Sequence, residues 1–405
     1  MKKIAKISLV AAIAVAGFTT ANAQPLEEAI KNVDVTGSVV YRYDENTNDN
    51  TPGANSNNTN SNNYKVALGL ASKVNEDLKF NSRFLVGTQA NGDFVTLDTS
   101  GNDGQADVSL SNAYFGYTGV KNTTVNVGKQ GLTTPWTVAI DSDGNEQTGT
   151  GALALSTVGP VTLGAAYFNQ TNLNASTDAK IPAGNVAGNL SGSADIAAIA
   201  AIAAVGPVTL DAWYLDMDQT FDTYTVGAKA ATELSGIKLT ADARYAALTL
   251  EDKVAAALTN AKEDNSMAKL VLTADAGLID GKIAYAMTDK DGGLTALDND
   301  ATTTLLGWNL TSNGKVDADY IQAVLGIDIL SNLNLSANYG NLEYKKNNNS
   351  TVDVEEEEVY GQLLYKMSKN LSTYARYGTF TKEETGSVNK INDNTRGRLQ
   401  VEYTF

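Results

Sequence analysis

The feature that most restricts this chain is a repeated pattern. From Val33 onward, segments alternate apolar and polar side chains, and polar, Gly- or Asn-rich breaks separate them. About ten alternating residues are what a tilted strand needs to cross a bilayer with one face on lipid and the other on water. In the first segment Val33, Val35, Gly37, Val39, Tyr41 and Tyr43 share one face, while Asp34, Thr36, Ser38 and Arg42 share the other. The stretch 45–63 is too polar to pack and reads as a long surface loop. Tyr64, Val66, Leu68 and Leu70 form the next apolar face, 73–76 makes a tight turn, and Leu78, Phe80, Phe84 and Val86 follow.

That rhythm predicts an all-β protein, a transmembrane antiparallel β-barrel. Short turns are expected near 73–76, 121–122, Gly159-Pro160, Gly206-Pro207, 233–236, 279–281, 330–332 and 368–370. Long breaks are expected near 45–63, 89–107, 133–149, 171–193, 218–221, 249–265, 290–316, 345–352 and 383–394. Together they divide the chain into 18 strands, although the boundaries also accommodate 16. A barrel of that size is expected to enclose an aqueous channel rather than a packed core. The segment 195–205 carries Ile196, Ile199, Ile202 and Val205 at helical spacing among alanines, yet it is too short to span as a helix and is assigned as a strand. In 398–405, Leu399, Val401, Tyr403 and Phe405 alternate with polar residues and end the chain as a closing strand would.

The start of the chain has the form of an export signal. Lys2, Lys3 and Lys6 precede an apolar run, and Ala21-Asn22-Ala23 resembles a cleavage site, so 1–23 is expected to be removed and 24–405 to form one barrel domain. Loss of those lysines takes the formal net charge from −16 to −19. The chain contains no cysteine and no histidine. That excludes disulfide staples, Cys or Ser/His nucleophiles and imidazole-based zinc sites. A carboxylate-only enzyme would need a paired-carboxylate cleft, and none can be located, so no enzymatic activity is expected.

Two regions carry a family resemblance. Pro25 to Gly37, followed by Tyr41-Arg42-Tyr43-Asp44, closely resembles the opening of the Campylobacter-type major outer membrane porins. Gly128-Lys129-Gln130, Trp136-Thr137 and Gly149-Thr150-Gly151 resemble the same family around the third long loop, and the closing strand adds a third likeness. The resemblance implies a trimeric, 18-stranded general porin with a loop-narrowed, cation-preferring pore and a calcium ion at the constriction.

The third loop, 133–149, is therefore expected to fold into the lumen, since an open pore of this width would not discriminate among solutes. It offers Asp141, Asp143 and Glu146, a local negative field that low-dielectric walls would focus. Asp141 and Asp143 are the calcium candidates; Asp289 and Asp291, in a second Asp-x-Asp-Gly stretch, could add oxygens from a facing wall, although a surface turn reads that stretch better. The stretch is not an EF-hand, and an ordinary solvated turn reads its Asp-Ser-Asp-Gly equally well. Alternation places Arg42, Arg83, Arg244, Arg376 and Arg398 on wet faces, where they would oppose the acidic loop. The expected function is passive diffusion of cations and small hydrophilic solutes across the bacterial outer membrane, with outer-membrane lipid and two further copies as partners and no nucleic acid. A surface adhesin or structural barrel acting through its Asn-rich loops is the alternative.

Overall fold

The computed structural model describes residues 33–48, 57–96, 107–181, 183, 189–258, 262–387 and 390–405. The expected export signal, 1–23, and the part of the family-like opening before Val33 lie outside them.

Within the described residues, alternation becomes strand pairing. The first strands are β1 (Val33–Asn48), β2 (Asn57–Lys73), β3 (Leu78–Val86), β4 (Val95–Thr96), β5 (Val108–Tyr117) and β6 (Thr123–Gly131). They continue as β7 (Thr148–Val158), β8 (Val161–Thr171), β9 (Ile196–Val205), β10 (Val208–Met217), β11 (Phe221–Leu234) and β12 (Ile237–Leu250). The rest are β13 (Asp264–Asp275), β14 (Ile279–Thr288), β15 (Val316–Leu330), β16 (Leu333–Lys345), β17 (Asp353–Ser368), β18 (Leu371–Glu384) and β19 (Asn392–Thr404). A six-residue helix, α1 (Asp252–Ala257), follows β12.

Apart from the two-residue β4, which pairs with β2, strands pair antiparallel with their neighbours along the chain, β3 with β2 and β5, and β19 returns to β1 from Ser38↔Thr404 to Asn48↔Asn394. The sheet therefore has no free edge, which removes the unpaired backbone groups that lipid could not satisfy. β3 stops at Val66↔Val86, and β4 resumes along the same strand of β2 at Tyr64↔Val95 and Asn63↔Thr96. They are one strand interrupted by residues 87–94, so the 19 segments occupy 18 positions in a closed barrel.

The eight short turns are all present, with one shifted. β14 starts at Ile279, so the turn expected at 279–281 falls at 276–278. The Gly-Pro hairpins work as their residues require: Gly159 and Gly206 have φ of 59° and 57°, the left-handed conformation that begins a type II′ turn. The loop expected over 45–63 is shorter, because β1 runs to Asn48 and β2 begins at Asn57 in continuous register. Segment 196–205 is a strand. Ile196, Ala198 and Ala200 are buried on one face, Ile199 is exposed on the other, and pairing with β8 and β10 satisfies its backbone.

The outer face is apolar, with Leu210, Val226, Ile283, Leu325 and Leu399 exposed along it. Aromatic rings frame it at both ends, as membrane barrels require. Tyr224 and Tyr245 pair at 6.2 Å towards the long loops, while Phe80 with Phe115 (5.1 Å) and Tyr403 with Phe405 (5.9 Å) lie towards the short turns.

The inner face departs from the expectation of a channel without a packed core. At the long-loop ends of β8 to β12, Phe168, Ile196, Leu215, Met217, Phe221, Leu248 and Leu250 pack with Leu132, Trp136, Leu173, Val254 and Leu297 from the connections. A second cluster joins Met267, Ala286, Tyr320, Leu342 and Val354 to Leu305 and Leu310. The long connections carry apolar residues of their own, so they bury them against the inner wall rather than leave them in water.

Candidate functional site

Segment 132–147 connects β6 to β7, and its own hydrogen bonds give it shape. Leu132 N–H donates to Gln147 O at 2.8 Å, closing the base. Asn145 N–H donates to Asp141 Oδ1 at 2.8 Å, and Gly144 N–H to Asp141 O at 3.1 Å. Gly144 takes a φ of 92°, so the tip bends where only glycine is unstrained.

One flank of this segment is tied to the wall. Glu146 is almost fully buried and accepts from Arg83 Nη2 (2.8 Å) and Ser111 Oγ (2.6 Å), with Lys65 Nζ at 2.8 Å. Burial works against its ionisation, but Arg83 and Lys65 outweigh it and hold the carboxyl below its ordinary range. Nearer the tip, Arg42 Nη2 donates to Ser142 O at 2.6 Å, and both Arg42 (3.2 Å) and Arg398 (3.4 Å) reach Asp143. The Arg42 guanidinium also lies 4.2 Å from the Phe94 ring centre.

The other flank meets a second connection, 289–315, between β14 and β15. Leu297 N–H donates to Trp136 O (2.9 Å), Gln147 Nε2 to Leu297 O (2.9 Å), and Thr303 N–H to Pro135 O (3.1 Å). Ser142 donates through N and Oγ to Asp300 Oδ2 at 3.0 and 2.9 Å. Beyond that contact, Glu358 of β17 accepts from the backbone of Trp308 (3.0 Å) and Asn309 (2.7 Å). The sequence pattern marks 290–316 only as a long polar break between strands, yet Thr295, Ala296, Asp298, Thr303 and Leu310 have no exposed surface.

Their junction gathers carboxylates. Ligand oxygens of Asp141, Asp298 and Asp300 all lie within 4.8 Å of one another. Asp141 and Asp298 are buried, and Oδ2 of each has no hydrogen-bond partner. Burial, then the Asp178 charge, raises the Asp141 carboxyl to about 7; burial, then Asp141, raises Asp298 to about 8.

The structure thus distributes the predicted site residues. Asp141, Asp143 and Glu146 share one segment, but they face different partners: an acidic cluster, two arginines, and the pair of buried Lys65 and half-buried Arg83. Arg42, Arg83 and Arg398 touch that segment. Arg244 instead forms a two-bond pair with Asp211 (2.7 and 2.9 Å), and Arg376 stacks near Tyr374 (4.8 Å) and Tyr360 (5.7 Å). Asp289 and Asp291 sit apart from the acidic cluster, with Asp291 3.9 Å from Lys262. The cluster's further carboxylates come from Asp298 and Asp300, which sequence reading missed. The available signal was the composition of their connection: Leu294, Leu297, Leu305, Trp308 and Leu310 are too many large apolar residues for a solvated loop.

Two cavities meet at the tip. One of about 530 Å³ is lined by Arg42, Lys65, Arg83, Asp141 and Ser142. The other, of about 380 Å³, is lined by Ser142, Asp300, Lys269, Lys282 and Arg376.

The closed barrel has known counterparts. The chain is similar to Pseudomonas aeruginosa OccK2 (OpdF), solved in complex with glucuronate, at 15% identity and a TM-score of 0.71 over 92% of this chain and 98% of that one. It is similar to Pseudomonas aeruginosa OpdQ at 16% identity and 0.71, over 92% and 99%. A third counterpart is Acinetobacter baumannii OccAB1, at 15% and 0.69, over 92% and 96%. At such identities these likenesses concern the fold. A search of curated proteins found no match. The apolar outer face and the closed strand order run through the described residues from Val33 onward, the model of the Campylobacter major outer membrane protein family matches residues 1–405, and the chain belongs to that family of outer-membrane porins.

Proposed function

We propose that this porin is a general diffusion channel with cation preference, in which segments 132–147 and 289–315 together narrow the lumen. The observation that carries this reading is the position of Ser142. Its carbonyl is held by Arg42 on the wall, its N–H and Oγ are held by Asp300, and a cavity opens on either side. A segment bonded across the interior in this way leaves two narrow paths instead of one wide one. Asp143, with 62% of its side chain exposed, supplies negative charge at the tip, and the net charge of −16 adds a field that gathers cations at the mouths.

A divalent cation such as calcium belongs to the same reading. The buried, unpartnered Oδ2 atoms of Asp141 and Asp298, beside Asp300, suit a hard cation that takes oxygen ligands. Bound there, it would supply the positive charge that this carboxylate set lacks. Asp141 and Asp298 would then hold segment 132–147 to segment 289–315, while Asp300 kept its two bonds to Ser142. The homotrimer implied by the family resemblance completes the proposal and is checked by the mass of the detergent-folded protein.

Planar-bilayer recording tests the function. Stepwise conductance with a cation-biased reversal potential is expected, and Asp143→Asn should move that potential towards neutrality. Folded protein that never conducts would refute the channel, and an unmoved potential would remove Asp143 from selectivity.

A further inference from the structure

We infer that the cavity between β13–β18 and residues 299–307 is a binding subsite for small hydroxylated carboxylates. The inference rests on the channel reading above, because a solute must enter the lumen to reach it.

The argument begins with three cations. Lys269, Lys282 and Arg376 lie on the inner faces of β13, β14 and β18, since Leu270, Ile283 and Tyr377 beside them are exposed on the outer face. All three line the same cavity of about 380 Å³. Among the described residues their side-chain hydrogen bonds go to neutral oxygens: Lys269 Nζ to Thr304 O at 2.7 Å, Lys282 Nζ to Gln322 Oε1 at 2.9 Å, and Arg376 Nε to Gln362 Oε1. None of them forms an ion pair there. This sets them apart from Lys65, Arg83, Arg244 and Arg398, which each meet a carboxylate at 2.8 Å or less.

Two carboxylates do border the cavity, but each is already engaged. Asp300 accepts the Ser142 N–H and Oγ, and Glu358 accepts backbone N–H groups of Trp308 and Asn309 together with Asn309 Nδ2 at 3.1 Å. The remaining lining offers neutral polar groups, among them Asn299, Thr302 and Asn338. Half-buried cations with neutral partners attract an anion more strongly than solvated ones, and the surrounding amides and hydroxyls suit a ligand's hydroxyl groups. A lone inorganic anion would leave most of that polar lining without a partner. The chemistry therefore favours a carboxylate that also carries several hydroxyls.

Gluconate is a suitable probe, with glucose as its uncharged counterpart. In single-channel recordings gluconate should cause brief interruptions of current, whereas glucose at equal concentration should not. Lys282→Gln with Arg376→Gln should raise the gluconate concentration for half-maximal interruption by about tenfold. Arg376→Lys should recover part of the loss, and Lys238→Gln at a short turn should change nothing. Equal interruption in the double variant, or equal interruption by glucose, would overturn the subsite. A second readout does not depend on conductance. Trp308 has its ring 5.9 Å from the Arg376 guanidinium, so gluconate should perturb the Trp308 fluorescence of detergent-folded protein, and Trp308→Phe should remove that signal. Protein that conducts but shows neither gluconate response sinks the subsite alone; protein that responds by fluorescence but never conducts sinks the channel reading alone.

Discussion

Glu146 is the residue on which the placement of segment 132–147 most depends. It holds the buried Lys65, the half-buried Arg83 and Ser111, so neutralising it leaves both cations without their counter-charge. Breaking such a pair typically costs about 3 to 5 kcal/mol. Glu146→Gln should therefore lower the unfolding temperature of the detergent-folded barrel and make the unit conductance larger and noisier. A variant as stable and as quiet as the parent would show that the segment is held elsewhere. The acidic cluster makes an opposite prediction, because there carboxylates lack cations. Free of a divalent ion, Asp141 and Asp298 have carboxyls raised to about 7 and about 8, well above the ordinary value near 3.9. A raised carboxyl contributes stability below its unfolded value and loses it as pH rises through the folded one. In chelator, thermal stability should fall as pH climbs from about 4 to above 8. Added calcium should restore it most strongly at the upper end and bind more weakly below about 7, where protons compete. Calorimetry with and without calcium at several pH values checks both signs, and Asp141→Asn with Asp298→Asn should abolish the calcium effect.

Among the elements, the hairpins were the most legible in the sequence, because a two-residue turn is specified by its own residues. Gly159 and Gly206 meet no neighbouring atom where a Cβ would stand, so their requirement is the positive φ alone. Gly159→Val should cost about 1 to 2 kcal/mol and slow folding into lipid vesicles without changing conductance. A variant that folds as fast as the parent would show that the turn tolerates a side chain. The connections were less legible for a physical reason. Strand alternation repeats over many residues and declares its faces, whereas 132–147 and 289–315 have no period, and their partners are remote in sequence. Asp141 and Asp298 are separated by more than a hundred residues, and only the closed barrel brings β6–β7 and β14–β15 to a common junction. Polarity also misled. Segment 289–315 contains enough Asp, Asn and Thr to look solvated, yet those groups bond to one another and to the wall, as Asn313 does with Thr295, Ala296 and Asn299.

For the whole molecule, the lipid face and the lumen face impose different rules on the same strands. Leu325 is 63% exposed on the outer face of β15, while Gln322 of that strand is buried inside. Leu325→Arg should reduce insertion into vesicles by about 2 to 4 kcal/mol if it lies near the bilayer centre, whereas Gln322→Ala should leave insertion intact. Folding titrations in urea with vesicles of defined composition would measure the difference, and equal losses would contradict the assignment of faces. The pattern of alternation and the turn residues were enough to determine a barrel of about this strand number and which face of each strand meets lipid. They suffice because period two and local turn chemistry are properties of neighbouring residues. Which arginines engage the acidic tip, which carboxylates Asp141 joins, and how far the interior is filled were decided only by the tertiary structure. Those depend on connections with no repeat, whose side chains find their partners only after the chain has closed on itself.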